Sequence, residues 1–287
     1  MLNVDLRPLG AGELLDRAVT LFVRHFAAIT AVVAVAYVPY LVLYLVLGWA
    51  SQTNEFVQST WVTAFGNGVG AIIWALTRTA LARTIGTVSS GSQPALGDAY
   101  RRAWRRLVPQ LLTMVMAAAA LLAIVVAAVV STIVLMKVGS AFEPFLPGHP
   151  NTSPAIAVGV GILALPFLIW LWLAYQIAAV RVAETAVNPG LAFLGALGST
   201  LAGSLRWRAL IVGFVILVAP LAIGYGGVAL GRIIPDPEVA FAVEKTLRIL
   251  VSSLSEAFAI ACVIVYDIDA RVRSEGLDLV RQVDAET

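Results

Sequence analysis

The chain has 287 residues, of which 60% are hydrophobic and only 13% charged, with a mean hydropathy of +0.91. A soluble domain of this size needs far more charge to cover its surface, so composition excludes an ordinary soluble globular protein. The net charge of +2 says little, whereas its distribution along the chain sets an expected topology.

A charged amphipathic stretch comes first. Leu14, Leu15, Ala18, Phe22 and Phe26 fall on one helical face, and Glu13 and Arg17 form an i,i+4 pair on the other, predicting a helix over about 12–26. Apolar runs follow at 27–49 and 57–82. A second amphipathic helix is predicted at 94–107, with Leu96, Ala99, Tyr100, Ala103, Trp104 and Leu107 on its apolar face. Asp98, Arg101, Arg102, Arg105 and Arg106 make its polar face, and Pro94 suits a first-turn position. Runs at 108–136 and 155–180 come next, the former long enough to tilt. A third, degenerate helix at 190–205 keeps the period through Phe193, Ala196, Leu197, Thr200 and Leu201, with glycines in place of charges. The last runs are 209–230 and 249–266.

A hydrocarbon core of ~30 Å needs ~20 apolar residues per helix, so the six runs read as six transmembrane helices. Helix is the state that satisfies their backbone groups in lipid, and the alternation of a barrel strand is absent. Fifteen of the 19 Lys and Arg residues fall on one side of these spans; Lys137, Arg232, Lys245 and Arg248 fall on the other. The positive-inside rule then predicts both termini in the cytoplasm. The first run is too long for a signal-peptide core, so no cleavable signal is expected. The 17 arginines against 2 lysines hint at a GC-rich bacterial genome, and hence a bacterial inner membrane.

The fold class expected is therefore all-α and polytopic, a single integral membrane domain made of three repeats, each an amphipathic interfacial helix followed by two spans. The repeats cover about 10–83, 94–181 and 190–268, with a cytoplasmic tail at 269–287. Leu15-Asp16-Arg17-Ala18 aligns with Leu96-Gly97-Asp98-Ala99 and with Phe193-Leu194-Gly195-Ala196. The even spans end alike, in Ala82-Arg83-Thr84 and Val180-Arg181-Val182. Three units entering from one side are parallel repeats, unlike the inverted repeats of many transporters.

The two ends of the chain carry a family resemblance. The stretch Leu6-Arg7-Pro8-Leu9-Gly10-Ala11-Gly12-Glu13-Leu14-Leu15-Asp16-Arg17-Ala18, continuing to Arg24-His25-Phe26, resembles the opening of the glycerophosphoryl diester phosphodiesterase membrane-domain family. Tyr266-Asp267-Ile268-Asp269-Ala270-Arg271-Val272-Arg273-Ser274-Glu275-Gly276-Leu277-Asp278-Leu279 is similar to its closing segment, with the Asp-Leu-Arg pattern altered here to Asp267-Ile268-Asp269-Ala270-Arg271. The resemblance implies a stand-alone integral membrane protein without the catalytic phosphodiesterase. That barrel would need ~250 residues of its own and clustered His, Glu and Asp metal ligands. The only histidines, His25 and His149, are assigned to opposite sides of the membrane.

Glu256 is the ionisable residue in the most expensive place. It lies ten residues inside Tyr266, roughly 15 Å at ~1.5 Å per residue, near the middle of a ~30 Å core. A carboxylate there costs ~2.5–3.5 kcal/mol, so it is expected to face the bundle and to find a partner or stay protonated. Ser252 shares its face at i,i+4, with Ser253 and Ser255 nearby. Two readings follow: a polar pathway or proton-linked site, or an interhelical contact, the favoured one, in which glutamine would substitute well. Arg78 either reaches toward Glu256 or snorkels to the cytoplasmic interface, and snorkelling is the favoured expectation. Arg181 and Glu184, at i,i+3, form a candidate structural clamp. Arg101, Arg102, Arg105 and Arg106 are candidate contacts for anionic lipid headgroups. Gly66, Gly68 and Gly70, and Gly224, Gly227 and Gly231, are expected to allow close helix approach, and Pro39, Pro166 and Pro220 to kink their spans.

The sole cysteine, Cys262, excludes an intramolecular disulfide and a cysteine-type zinc site. No nucleotide-binding loop or catalytic triad is recognisable, no cofactor is expected, and nothing base-reading accompanies the arginines. The expected function is a non-catalytic scaffold, assembly or lipid-organising component that works with membrane lipids and protein partners. The alternative is a transporter or lipid translocator with a polar seam around Glu256, and a membrane-embedded hydrolase is a distant third.

Overall fold

The computed structural model describes residues 9–53, 60–89, 92–142, 153–185, 187–201, 205–231 and 234–275. Arg7, His149, Pro150, Arg232, Arg281 and the rest of the tail from 276 lie outside the described residues. All regular structure among the described residues is helical, in nine α-helices and no strand: α1 (Ala11–Arg24), α2 (Phe26–Thr53), α3 (Thr60–Ser89), α4 (Leu96–Arg105), α5 (Leu107–Phe142), α6 (Ser153–Glu184), α7 (Pro189–Leu201), α8 (Arg206–Gly231) and α9 (Pro237–Glu275).

Each apolar run forms a helix, and each amphipathic stretch forms a shorter one before it. Four of the long helices are apolar enough to cross a membrane, over Phe26–Leu47, Leu107–Lys137, Val158–Glu184 and Val239–Arg273. α7 and α8 together would pass as a fifth crossing, broken by a bend of 112°. In α3, Asn67, Arg78 and Arg83 dilute the apolar run.

Local chemistry sets the helix ends. The Gly10 N–H donates to Glu13 Oε2 at 2.8 Å, which satisfies a donor that the start of α1 leaves open. Leu14, Ala18 and Leu21 then bury one face. On α4, Ala99 and Ala103 are buried, and the Tyr100 hydroxyl donates to the Val32 carbonyl of α2 at 2.6 Å. Trp104, expected on the buried face, is exposed instead. Pro94 precedes the helix rather than occupying its first turn, because α4 begins at Leu96. α2 and α6 stay continuous through Pro39 and Pro166. Pro220, Gly224, Gly227 and Gly231 lie where side-chain surroundings are outside the described residues.

The packing places three helices inside and the others around them. α3, α6 and α9 touch one another. α2 lies against α3 and α9, α5 against α6 and α3, and α8 against α9 and α6. The short helices follow the same rule: α1 packs on α9, α4 on α3, and α7 on α6. Burial is concentrated near the short helices, over Ala75–Val88 of α3, Ile169–Ala183 of α6 and Ser253–Val272 of α9. Towards the other end α5 and the first half of α6 present Val, Leu and Ile outward, the surface that lipid tails would cover.

Glycine positions correct one expectation. A Cβ on Gly66 or Gly68 would meet nothing within 4 Å, so these residues mediate no close approach. Gly70 does, with Tyr40 Oη 2.7 Å from such a Cβ. A close helix crossing also runs through Gly213 of α8, where a Cβ would sit 2.7 Å from Ile169 Cγ2 and 3.3 Å from the Ile169 carbonyl oxygen.

Candidate functional site

Because α3, α6 and α9 meet, one polar side chain from each converges in the interior. Arg78 comes from α3, Gln176 from α6 and Glu256 from α9. Arg78 Nη1 is 3.3 Å from Glu256 Oε1, with the arginine side chain 1% exposed and the glutamate 12%. Arg78 Nη2 donates to Gln176 Oε1 and lies 3.5 Å from the Gln176 carbonyl oxygen. The guanidinium carbon is 5.0 Å from the Trp74 ring centroid and 4.7 Å from that of Tyr175. The two rings are stacked at 6.1 Å. Each such cation–π contact contributes on the order of 0.5–2 kcal/mol when desolvated.

Arg78 therefore does not snorkel. A carboxylate, an amide and two aromatic faces lie within reach of its guanidinium, which is 1% exposed. Ser252 does not join the site: it is exposed, while buried Ser253 donates to the Leu250 carbonyl at 2.9 Å. Arg78 Nε and Nη1, Gln176 Nε2 and Glu256 Oε1 have no well-aligned hydrogen bond. The Arg78–Glu256 contact is thus a charge contact rather than a linear hydrogen bond, and the opposite charge and ring faces carry most of the compensation. Glutamine would lack that charge and would leave the Arg78 guanidinium without its counter-charge.

Gln176, Trp74 and Tyr175 were not singled out from sequence, yet a signal for the first two exists. Arg78 lies five residues before Arg83, and Gln176 five before Arg181. Trp74 and Trp172 each stand four residues earlier still. The matched ends Ala82-Arg83-Thr84 and Val180-Arg181-Val182, read inward, lead to both polar residues.

A second polar cluster ties the ends of the helices together. Arg181 does not clamp Glu184. Its Nη2 and Nε reach Asp267 Oδ1 of α9 at 2.6 and 3.1 Å, and Arg271 Nη2 holds Asp267 Oδ2 at 2.7 Å. The physical reason is the closeness of α6 and α9, which puts a buried carboxylate nearer than the one a turn away. Glu184 instead faces α3 at Gly86, where its Oε1 is 2.9 Å from the place a Cβ would take. Arg83 donates to the carbonyls of Ala183 and Glu184, both at 2.9 Å.

Asp269 closes the cluster. Its carboxylate accepts from the Leu9 N–H at 2.7 Å and from Arg273 Nε at 2.9 Å, with Arg208 Nη1 at 3.5 Å. The Leu9 carbonyl accepts from Arg208 and, at 2.9 Å, from Arg273. The opening and closing segments therefore meet in space, through one fully buried aspartate.

The α4 arginines form an outward polar face. Arg101, Arg102 and Arg105 are exposed and Arg106 is half-buried, with Arg101 Nη2 2.7 Å from Asp98 Oδ1. Two cavities lie against α3. One, about 190 Å³, is apolar and sits between α3, α5 and α6 beside Trp74, Trp172 and Tyr175. The other, about 220 Å³, is polar and lies between α3 and the start of α4. Glu256 lines neither. Among the described residues no group of three His, Cys, Asp or Glu side chains is placed to hold a metal ion.

Long apolar helices around a buried ion pair mark the chain as a helical, multi-pass membrane protein. Comparison with family models, curated proteins and solved structures gives no match.

Proposed function

We infer that the chain is a non-catalytic membrane component, a scaffold, assembly or lipid-organising subunit, rather than a transporter. The observation that carries this reading is the Arg78–Glu256 contact. The intramembrane carboxylate faces a guanidinium fixed by Gln176, Trp74 and Tyr175. A carboxylate that carries protons or a cation must exchange partners, and here its partner joins three helices together.

In this reading six spans form three repeats. The cyclic packing supports it: every short helix sits on the inner helix of the preceding unit, and every outer helix on its own inner helix and the preceding one. Both termini are cytoplasmic, in a bacterial inner membrane. The exposed arginines of α4, with Trp104 and Trp207 exposed at neighbouring helix junctions, suit the headgroup layer of anionic lipid. The terminal resemblance to the glycerophosphoryl diester phosphodiesterase membrane-domain family belongs to the same proposal, and protein partners remain part of it.

Two measurements test this. Ser51→Cys, Pro150→Cys and Pro235→Cys are expected to label from outside intact cells, against a background in which native Cys262 is buried. Labelling of any of the three only after permeabilisation would sink the topology. The paired change Arg78→Met with Glu256→Met is expected to complement a deletion strain. A folded double variant that fails to complement would promote the transporter reading, since only a titratable or ion-binding group would have been lost.

A further inference from the structure

The polar cavity at the start of α4 combines features that together select an anion. It is lined by Arg83, Thr84, Gln93, Ala95, Asp98 and Arg102, among others. α4 begins there with Ala95 as its N-cap, and no side chain caps it. The N–H groups of its first turn therefore face outward with the positive end of the helix dipole.

The second observation is independent of the helix end. Thr84 is 1% exposed, and its hydroxyl has no hydrogen-bond partner. Thr77, Thr79, Thr87, Thr113, Thr132 and Thr185 each donate to the carbonyl four residues earlier. Thr84 and Thr30 depart from that habit, and of the two Thr84 leaves its buried donor beside this cavity, a group whose desolvation costs about 1–3 kcal/mol if nothing meets it.

The charges point the same way. At the matching place on α6, Arg181 is neutralised by Asp267. Arg83 has backbone carbonyls for partners, while Arg102 and Arg106 bring like charge to bear on it. Two carboxylates oppose an anion: Glu184 offsets part of the Arg83 charge, and Asp98 is paired with Arg101. Arg83, Arg102 and Arg106 against Glu184 leave the region positive.

We propose that this cavity is a phosphate site, in which Arg83, Arg102, the Thr84 hydroxyl and the first N–H groups of α4 hold one phosphate group. Its volume of about 220 Å³ is below the ~300 Å³ at which sites for drug-sized ligands begin, so it takes a phosphate rather than a whole nucleotide. The phosphate belongs to a lipid headgroup or to a soluble phosphate, and the chemistry is the same. The lipid source rests on α4 lying in the headgroup layer, as in the function proposed above; the soluble source does not.

The test uses the full chain with two probes. Inorganic phosphate is titrated calorimetrically into protein in detergent. Phosphatidic acid in phosphatidylcholine vesicles is offered to the protein, and its retention is read by native mass spectrometry. Arg102→Gln and Thr84→Val are each expected to weaken binding about tenfold. Thr84→Ser should restore it, and Arg24→Gln, which removes an exposed cation from α1, should change it less than twofold. Binding of phosphatidic acid alone identifies a headgroup site, and binding of both probes a general phosphate site. Equal losses in Arg24→Gln and Arg102→Gln, wild-type binding by Thr84→Val, or binding of neither probe would overturn the proposal. The cysteine labelling and complementation above report on the scaffold reading alone, so the two failures are distinguishable.

Discussion

Glu256→Gln is expected to destabilise the protein by about 3–5 kcal/mol, the usual cost of removing one partner from a buried ion pair. The amide keeps the shape of the carboxylate but leaves the Arg78 guanidinium charged, 1% exposed and without its counter-charge. Arginine cannot relieve this by deprotonating. Arg78→Gln is expected to cost a similar amount, since it strands Glu256 and strips the cation from Trp74 and Tyr175. The joint change to Met at both positions should cost much less than the two single changes together, because apolar replacement of a whole buried pair is often neutral or stabilising. Equilibrium unfolding in detergent on the two single variants and the double variant gives the coupling directly. Strict additivity would mean that the 3.3 Å contact contributes nothing to the fold.

Asp269→Ala is expected to have a comparable effect, about 3–5 kcal/mol, for a different reason. The carboxylate is fully buried, and Arg208, Arg273 and the Leu9 N–H all converge on it. Its removal leaves two guanidinium groups facing each other and frees Leu9 and Gly10, which lead into α1. Hydrogen exchange should show faster amide exchange at Leu9 and in the first turn of α1, with little change in α4. Unchanged exchange there would mean that α1 is held by its packing on α9 alone, through contacts such as Phe22 against Phe258 at 5.9 Å.

Periodicity carried most of the fold. Leu14, Ala18 and Leu21, or Ala99 and Ala103, fall at spacings that only a helix brings to one face, and the six apolar runs needed no further information. What periodicity does not carry is which helices touch. Arg181 illustrates this. Glu184 is close in sequence, but Asp267 is close in space, and only the packing of α6 on α9 decides between them. Arg78 is the same case at greater depth. Snorkelling is the sound expectation for an arginine near a helix end when its neighbours are unknown. The nearby carboxylate, amide and two rings come from other helices. Gln176 was legible in principle, because the repeated Arg at 83 and 181 fixes its register, but an uncharged residue in an apolar run draws little notice. Thr84 was not legible at all, since the lack of a back-bond to its own helix is a property of coordinates.

The contact between Leu9 and Asp269 also bears on how the chain is made. The two residues are 260 positions apart. At ~5–20 residues per second, synthesis needs about 13–50 s to pass from one to the other. Throughout that interval α1 has no α9 to lie on, and the buried side of α2 lacks its second neighbour. Leu14, Ala18 and Leu21 must be sheltered meanwhile by the membrane surface or by the insertion machinery. Among the described helices, α9 emerges after the others, and it is the one that completes the inner trio and receives α1. A ribosome stalled before α9 would therefore leave α1, α2, α3, α6 and α8 without the helix on which they all pack.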